Sequence, residues 1–327
     1  MNREKLIQEF LIKNAVESPD LNKIHSDASF RNYYRISKKN LIVMDASSEK
    51  NSSLESFVRI ANLLLEIKLS APKIYAADFE KSLLLLEDFG QTVFSKVLSE
   101  ENEEQLYRTA IEIIDYLHRN YNANANKKNG IFDYSEIELV KEARLFVDWY
   151  LKEHKQISLK EKSIIEFEII IANIFKDVAP CRESIVLRDY HVDNLFFLQN
   201  RNGLQSVGLI DFQDALAGSP VYDLASLIED VRRPLNRDLK DRLLDYFINL
   251  SDLSENQIRN EMAFFSVQRN LKILGIFCRL KYRDKKDSYM RLIPNGISFI
   301  QNHLNNDNMD DLNKWFKRNN VDLGPSN

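Results

Sequence analysis

A pattern of short apolar runs in the second half of the chain constrains the fold most strongly. The runs lie at residues 184–187, 194–198 and 207–210, and a turn signal, Asn-Arg-Asn-Gly at 200–203, separates the second run from the third. Short apolar runs bounded by Gly and Asn are typical of β-strands joined by tight turns. The pattern therefore predicts a strand followed by a hairpin, with the ends of the two hairpin strands side by side.

Three polar residues stand at the ends of these runs, namely Asp189, Asn194 and Asp211. Phosphoryl transfer from ATP requires a carboxylate that accepts or orients the attacking hydroxyl, and an amide oxygen and a second carboxylate that hold Mg²⁺. Taken singly, each residue is also an ordinary turn residue that hydrogen-bonds its own backbone. The order of all three predicts Asp189 as the catalytic base and Asn194 and Asp211 as metal ligands.

Composition excludes several classes of function. The 327 residues include 44% hydrophobic and 29% charged residues, with 45 basic against 49 acidic side chains and a net charge of −4. This balance argues against a general nucleic-acid or anionic-membrane surface. Two cysteines are too few for a disulfide scaffold, and no run of about 18 apolar residues occurs. The first ten residues are charged and lack a signal pattern, so we expect a cytoplasmic protein.

Periodicity divides the chain into a mixed first part and a helical second part. Helical spacing occurs at 3–15 and 54–67, and strand patterns occur at 30–36, 41–44, 73–77 and 83–87. Further helices are predicted at 105–121, 135–154 and 161–178 from apolar residues at i, i+3 and i+4. The prediction is an α+β protein, in which a small antiparallel sheet with one crossing helix precedes a helical region.

The central segment resembles the Brenner motif of the aminoglycoside phosphotransferase/choline kinase superfamily, which is related to the protein kinases. The run from Ile210 to Leu227 is more specific, and resembles the bacterial kinases that phosphorylate the anomeric hydroxyl of N-acetylmuramic acid and N-acetylglucosamine. Other blocks that carry this resemblance are Asp27–Arg31, Tyr33–Arg35, Val43–Ala46, Leu84–Gly90 and Gln268–Phe277.

The resemblance implies a two-lobed, protein-kinase-like fold. Residues 1–90 would form the N-lobe with the phosphate loop and hinge, and residues 91–327 the C-lobe with the catalytic loop and acceptor site. ATP and Mg²⁺ would be the cofactors, with ATP between the lobes. The implied cofactor-binding residues are Ser29, Arg31 and Arg35 near the phosphates, and Glu87 and Phe89 in the hinge.

The chain departs from the kinase pattern around the phosphates. The loop at 26–31 contains no glycine, Met44 stands where kinases carry a phosphate-binding Lys, and Ile60 stands where its Glu partner is expected. Either Arg31 or Arg35 supplies the cation, or the site is weakened. Asp223 is expected to remain ionised and to brace the catalytic loop through backbone N–H groups.

The acceptor is expected to be a neutral or anionic sugar, because the C-terminal helices lack the dense acidic cluster that an aminoglycoside would favour. The substrate-binding candidates are His191, Gln213, Glu142, Arg232 and Arg269. Arg232 with its neighbour Arg233 would either meet the lactyl carboxylate of N-acetylmuramate or form a solvated helix end. The favoured product is a sugar 1-phosphate for cell-wall recycling. A kinase of another sugar, an amino alcohol or an aminoglycoside is a second hypothesis, and a nucleotide-binding pseudokinase is a third.

Overall fold

The computed structural model describes residues 3–17, 20–24, 31–47, 51–179 and 183–324. Its α-helices are α1 Arg3–Lys13, α2 Asn51–Glu66, α3 Phe94–Val97, α4 Glu103–Arg119, α5 Ala123–Lys128, α6 Glu136–Leu145, α7 Glu161–Val178, α8 Val221–Ile228, α9 Arg237–Leu250, α10 Glu255–Tyr282, α11 Ile293–His303 and α12 Asp310–Arg318. Its strands are β1 Leu21–Ile24, β2 Asn32–Ile36, β3 Leu41–Asp45, β4 Ile74–Asp78, β5 Leu83–Glu87, β6 Ser184–Val186, β7 Leu195–Phe197, β8 Val207–Leu209 and β9 Leu216–Gly218. The predicted α+β class is confirmed.

The chain forms two compact units, each assembled from separate stretches of sequence. Unit 1 consists of Met1–Glu103, Asn124–Gly130 and Val192–Ala215, and unit 2 consists of Glu104–Ala123, Ile131–His191 and Leu216–Asn327. A lobe boundary at residue 90 stays a prediction. Among the described helices, none is both long enough and apolar enough to cross a membrane.

Unit 1 contains a five-stranded antiparallel sheet. Its strand order is β1-β2-β3-β5-β4, and Met44 of β3 lies opposite Leu84 of β5. The four strands that sequence patterning predicted are confirmed, whereas β1 was not predicted, because the polar residues within Leu-Asn-Lys-Ile weaken its apolar signal. Helix α1 buries one apolar stripe against the sheet, and this core contains Ile7, Phe10, Leu11, Val16, Ile36, Val43, Leu83 and Leu85.

The predicted hairpin is present in unit 1 as β7 and β8. Leu195 lies opposite Leu209, and the ladder continues past the strand ends, where the Ile210 N–H donates to the Asn194 carbonyl at 3.2 Å. Gly208 is required by close packing, since a Cβ at this position would lie 2.7 Å from the Phe89 ring. The hairpin therefore brings the residues after β8 next to the residue before β7.

Helix α10 is the central element of unit 2. It packs against α6, α7, α8 and α11, and its middle section is buried on nearly every side. Gly275 allows the closest crossing, because a Cβ there would lie 2.3 Å from the carbonyl carbon of Leu145. Strand β6 pairs with β9. Strand β9 was not predicted, because Leu-Ala-Gly contains no β-branched or aromatic residue.

The helix predicted at 135–154 changes its hydrogen-bonding pattern halfway along. Ser135 caps α6 by accepting a hydrogen bond from the Glu138 N–H, and from Phe146 to His154 the chain continues as a π-helix. The change begins at the point where Gly275 approaches Leu145. Apolar spacing indicates a helix here, but it does not distinguish i→i+4 from i→i+5 hydrogen bonds.

Candidate active site

The two predicted metal ligands lie together at the base of the hairpin in unit 1. The side-chain amide nitrogen of Asn194 is 3.4 Å from an Asp211 carboxylate oxygen. Asp211 has φ of +60°, a region that non-glycine residues enter rarely and that Asp and Asn tolerate best. This backbone buries the neighbouring Phe212, whose ring stacks on Phe57 at 5.1 Å, and leaves the Asp211 carboxylate exposed to solvent.

Gln213 links this pair to a buried arginine. Its amide nitrogen donates to the second Asp211 oxygen at 3.0 Å, and its amide oxygen accepts from Arg31 Nη1 at 3.1 Å. Arg31 also donates to the Ser53 hydroxyl at 2.7 Å and lies over the Phe57 ring at 5.5 Å. The side chain of Arg31 is only 4% exposed, so its charge is held in place one amide away from Asp211.

The second arginine considered for this role is engaged elsewhere. Arg35 forms an ion pair with Asp88 at 2.9 Å and donates to the carbonyl of Gly90 at 2.6 Å. Met44 and Ile60 are 0% and 1% exposed, so apolar packing occupies the two positions where a kinase Lys–Glu pair was considered. The geometry therefore favours Arg31 over Arg35 as the replacement cation.

The hinge residues have structural partners within unit 1. Glu87 pairs with Arg201, and its backbone N–H donates to the carbonyl of Lys73 at 2.8 Å. The Phe89 ring packs against Phe196 with 5.8 Å between centroids. Ser29 lies outside the described residues. Nucleotide contacts of Ser29, Glu87 and Phe89 stay predictions.

The loop that carries Asp189 follows β6 in unit 2, and the side chain of Asp223 on α8 holds its backbone. One carboxylate oxygen of Asp223 accepts from the Leu187 N–H at 2.6 Å, and the other accepts from the Arg188 N–H at 2.9 Å. Arg188 has φ of +70°, which these hydrogen bonds hold in place immediately before Asp189. The expected brace is therefore present.

The expectation that Asp223 remains ionised holds only above its pKa, which burial brings into the neutral range. Burial raises the pKa of Asp223 to about 7, and the nearby charge of Asp189 adds to the increase. The backbone N–H groups of Leu187 and Arg188 and the charge of Arg269 lower the pKa, but by less. A carboxylate with good donors still becomes hard to ionise when burial removes all of its water.

Glu142 is the centre of a buried ionic cluster in unit 2. Its carboxylate accepts hydrogen bonds from Arg188 and from the Tyr134 hydroxyl, and it pairs with Lys272 Nζ at 2.9 Å. Burial raises the pKa of Glu142, but the charges of Lys272 and Arg188 outweigh it, so the pKa lies below its usual range. The structure thus gives Glu142 a bracing position, and contact with an acceptor stays a prediction.

Lys272 is a member of this cluster that the sequence did not identify. Its side chain is 14% exposed, and its pKa is raised because Tyr222 and Glu142 together outweigh the effect of burial. The sequence signal was a single lysine within an otherwise apolar run on α10.

Three of the remaining acceptor candidates, His191, Arg232 and Arg269, lie near one another in unit 2. His191 is buried, and burial together with the charges of Arg232 and Arg269 places its pKa well below the usual range, so the imidazole is neutral. Arg232 Nη1 pairs with Asp230 at 3.3 Å, and the Arg232 N–H donates to the same oxygen at 3.0 Å. Gln213, the fifth candidate, belongs instead to the hairpin in unit 1.

The residues at the hairpin fit Mg²⁺ better than a metal that needs an all-protein site. No group of three or more His, Cys, Asp or Glu side chains suited to a metal occurs among the described residues. Mg²⁺ is commonly bound by one or two carboxylates together with substrate phosphates. Asp211 provides such a carboxylate, and rotation of the Asn194 amide by half a turn presents its oxygen beside it.

Comparison with known proteins identifies the family. Residues 20–260 match the family described as phosphotransferase enzyme family. The N-acetylmuramate/N-acetylglucosamine kinase of Pseudomonas aeruginosa is 29% identical over 296 residues, covering 84% of this chain and 81% of that protein. The kinase of the same name from Caulobacter vibrioides is 30% identical over 271 residues, covering 81% of this chain and 74% of that protein.

Solved structures show the same fold at lower identity. Choline kinase LicA from Streptococcus pneumoniae has a TM-score of 0.62 and 13% identity, with 95% of this chain and 99% of that chain covered. ADP-bound aminoglycoside phosphotransferase APH(2″)-Ib has a TM-score of 0.61 and 13% identity, with 91% and 98% covered. The fold is therefore protein-kinase-like, and the chain is a kinase that belongs to the phosphotransferase enzyme family.

Proposed function

We propose that this kinase uses Mg²⁺ and ATP to phosphorylate the anomeric hydroxyl of N-acetylmuramate or N-acetylglucosamine, giving the sugar 1-phosphate for cell-wall recycling. The choice of acceptor rests on the sequence identity of 29% and 30% to two relatives that are named for these sugars. Since the matches cover about four-fifths of the chain, they include the hairpin. The basic residues near His191 agree with a neutral or anionic acceptor.

The residues of the chain divide into two roles under this proposal. Asp189 orients the sugar hydroxyl for in-line attack. Asn194 and Asp211 hold Mg²⁺, which neutralises charge on the phosphates when bound. Phosphoryl transfer passes through a loose transition state, so positioning and electrostatics supply most of the rate.

Arg31 supplies the cation that the phosphates need in place of a lysine at Met44. A guanidinium donates several hydrogen bonds in one plane, which suits two neighbouring phosphate oxygens. The links from Arg31 to Ser53 and Gln213 support this role, because they fix the guanidinium relative to Asp211 within the same unit.

A substrate panel tests the proposal. We expect ADP release with Mg·ATP and either N-acetyl sugar, together with loss of the reducing end of the sugar, and no comparable turnover with glucose, choline or kanamycin. Asp189→Asn should abolish turnover, whereas Asp177→Asn, which changes an exposed carboxylate on α7, should leave it unchanged. Turnover confined to another acceptor would contradict the sugar assignment and keep the kinase.

The buried apolar side chains at Met44 and Ile60 favour one rival, a nucleotide-binding pseudokinase. ATP binding measured by calorimetry, without phosphoryl transfer to any acceptor in the panel, would support that rival. Turnover that requires Asp189 and Asp211 would exclude it.

A further inference from the structure

Arg269 is a buried arginine whose charge lacks a direct partner in the described part of the chain. It lies on α10 in unit 2 and is 4% exposed. Among the described residues, no hydrogen bond or ion pair reaches its guanidinium, and Nη1 is buried without an acceptor. Burying an unpaired charge is strongly unfavourable, so such a group normally has a counter-ion or a ligand.

None of the described carboxylates of unit 2 forms an ion pair with Arg269. Arg269 lowers the pKa of Asp223, so the two charges are close, but both Asp223 oxygens accept from the backbone N–H groups of Leu187 and Arg188. Asp230, another buried carboxylate of unit 2, pairs with Arg232 through one oxygen, and its other oxygen is buried without a hydrogen bond to Arg269 or to any other described residue. Arg269 therefore attracts negative charge without any described carboxylate bonding to it.

The position of Arg269 places this unused charge beside the catalytic loop. Its charge acts on His191 and on Asp223, which lie within and directly beneath the loop that carries Asp189. His191 is kept neutral by burial and by the two arginines, so it does not compete as a cation and can serve as a hydrogen-bonding neighbour.

We propose that Arg269 recognises a carboxylate on the acceptor sugar and thereby determines specificity for anionic N-acetyl sugars. The lactyl carboxylate of N-acetylmuramate has this chemistry, and N-acetylglucosamine lacks it. The planar guanidinium pairs with a carboxylate through parallel hydrogen bonds. This assignment rests on the proposed function, and it selects Arg269 rather than Arg232, whose guanidinium already pairs with Asp230.

The test compares acceptors within one set of variants. Arg269→Gln and Arg269→Lys are measured beside Arg259→Gln, which changes an arginine on the same helix that is 48% exposed and paired on the surface. For Arg269→Gln we expect kcat/KM on N-acetylmuramate to fall at least about tenfold, while kcat/KM on N-acetylglucosamine falls less than about threefold. Arg269→Lys should recover part of the loss, and Arg259→Gln should match the wild type on both sugars.

A measurement on the wild type keeps the proposal testable if the variants do not fold. The carboxamide of N-acetylmuramate keeps the shape of the acceptor and removes its charge, and we expect at least about a tenfold lower kcat/KM for it. Equal rates on acid and carboxamide, or equal losses on both sugars in Arg269→Gln, would overturn the role of Arg269 and leave the sugar kinase intact. Absence of wild-type turnover on both sugars would instead contradict the proposed function.

Discussion

The carboxylates beneath the loop after β6 are buried and paired, whereas those at the hairpin of β7 and β8 are exposed. Beneath the loop, Glu142 and Asp223 are buried, and their oxygens accept from backbone N–H groups or from cations. At the hairpin, Asp211 and Asp214 are exposed, and the amide of Gln213 lies 3.0 and 3.4 Å from them.

This difference separates residues that support a loop from residues that are proposed to bind a metal ion. Buried charges are costly to leave unpaired, so the residues beneath the loop fix a backbone that has φ of +70° at Arg188. Exposed carboxylates remain hydrated, so at the hairpin Asp211 is positioned by its backbone and by side-chain amides rather than by a buried counter-charge. Substitutions beneath the loop should therefore affect stability first, and substitutions at the hairpin should affect activity first.

The largest expected effect is a loss of kinase activity when Asp211 at the hairpin is replaced. Asp211→Asn removes the ionised ligand while keeping a residue type that tolerates positive φ, so the fold should persist. We expect kcat to fall by about 10³-fold or more, equivalent to about 4 kcal/mol, with the free energy of unfolding changed by less than about 1 kcal/mol. Steady-state kinetics and urea unfolding measure the two effects, and near-normal turnover would contradict the assignment of Asp211.

The next effect should appear in the stability of unit 2. Glu142→Gln leaves Lys272 and Arg188 buried without their counter-charge, and we expect the free energy of unfolding to fall by about 3 kcal/mol. Urea unfolding measures this change. Glu166→Gln is a matched control, since Glu166 is 39% exposed in a surface pair with Arg318 and should change stability by less than about 0.5 kcal/mol. Similar stability of the two variants would remove the distinction between support and surface.

A smaller effect should separate the two arginines of unit 1. Arg31→Met should lower kcat/KM for ATP by about 10²-fold, because it removes the cation linked to Asp211 through Gln213. Arg35→Met should lower it by less than about tenfold, because Arg35 pairs with Asp88 instead. Kinetics with ATP varied at saturating sugar measures both values, and the reverse order would assign the phosphate cation to Arg35.

The smallest expected effect is a pH dependence of the unfolding free energy, caused by Asp223 beneath the loop. The pKa of Asp223 is about 7 in the folded chain against 3.8 for an ordinary Asp, so the folded state binds the proton more tightly. Stability contributed by this proton is present below pH 3.8 and is lost as pH rises through about 7. Relative to Asp223→Asn, the wild type should lose about 1 kcal/mol of unfolding free energy between pH 6 and pH 7. Urea unfolding at several pH values measures the difference, and parallel curves would show that Asp223 does not titrate in this range.

Local patterns in the sequence predicted the elements that short-range forces determine. The hairpin followed from two apolar runs around an Asn-Gly turn signal, and α7 coincided with its predicted range. The polar strand β1 and the three-residue strand β9 were missed, because tertiary pairing rather than their own residues makes them strands.

Long-range partners could not be predicted from the sequence. Glu142, Arg188 and Lys272 lie far apart in the chain. Packing of α10 against α6 brings Lys272 to Glu142, and the loop after β6 brings Arg188 to the same carboxylate. The same holds for Arg31 and Gln213. Their hydrogen bond joins the residue before β2 to the segment after β8. The position of Asp211 was predictable because neighbouring residues in the sequence determine the strand before it. Its link through Gln213 to the buried Arg31 was not predictable, because Arg31 lies far away in the sequence.

The most direct test of the central claim is the identity of the product. Wild-type enzyme, Mg·ATP and N-acetylmuramate or N-acetylglucosamine are incubated and followed by ³¹P NMR, with Asp211→Asn in parallel. We predict one new sugar phosphate resonance coupled to the anomeric proton, formed by the wild type and absent with the variant. A phosphate on another hydroxyl, or equal product from the variant, would contradict the account.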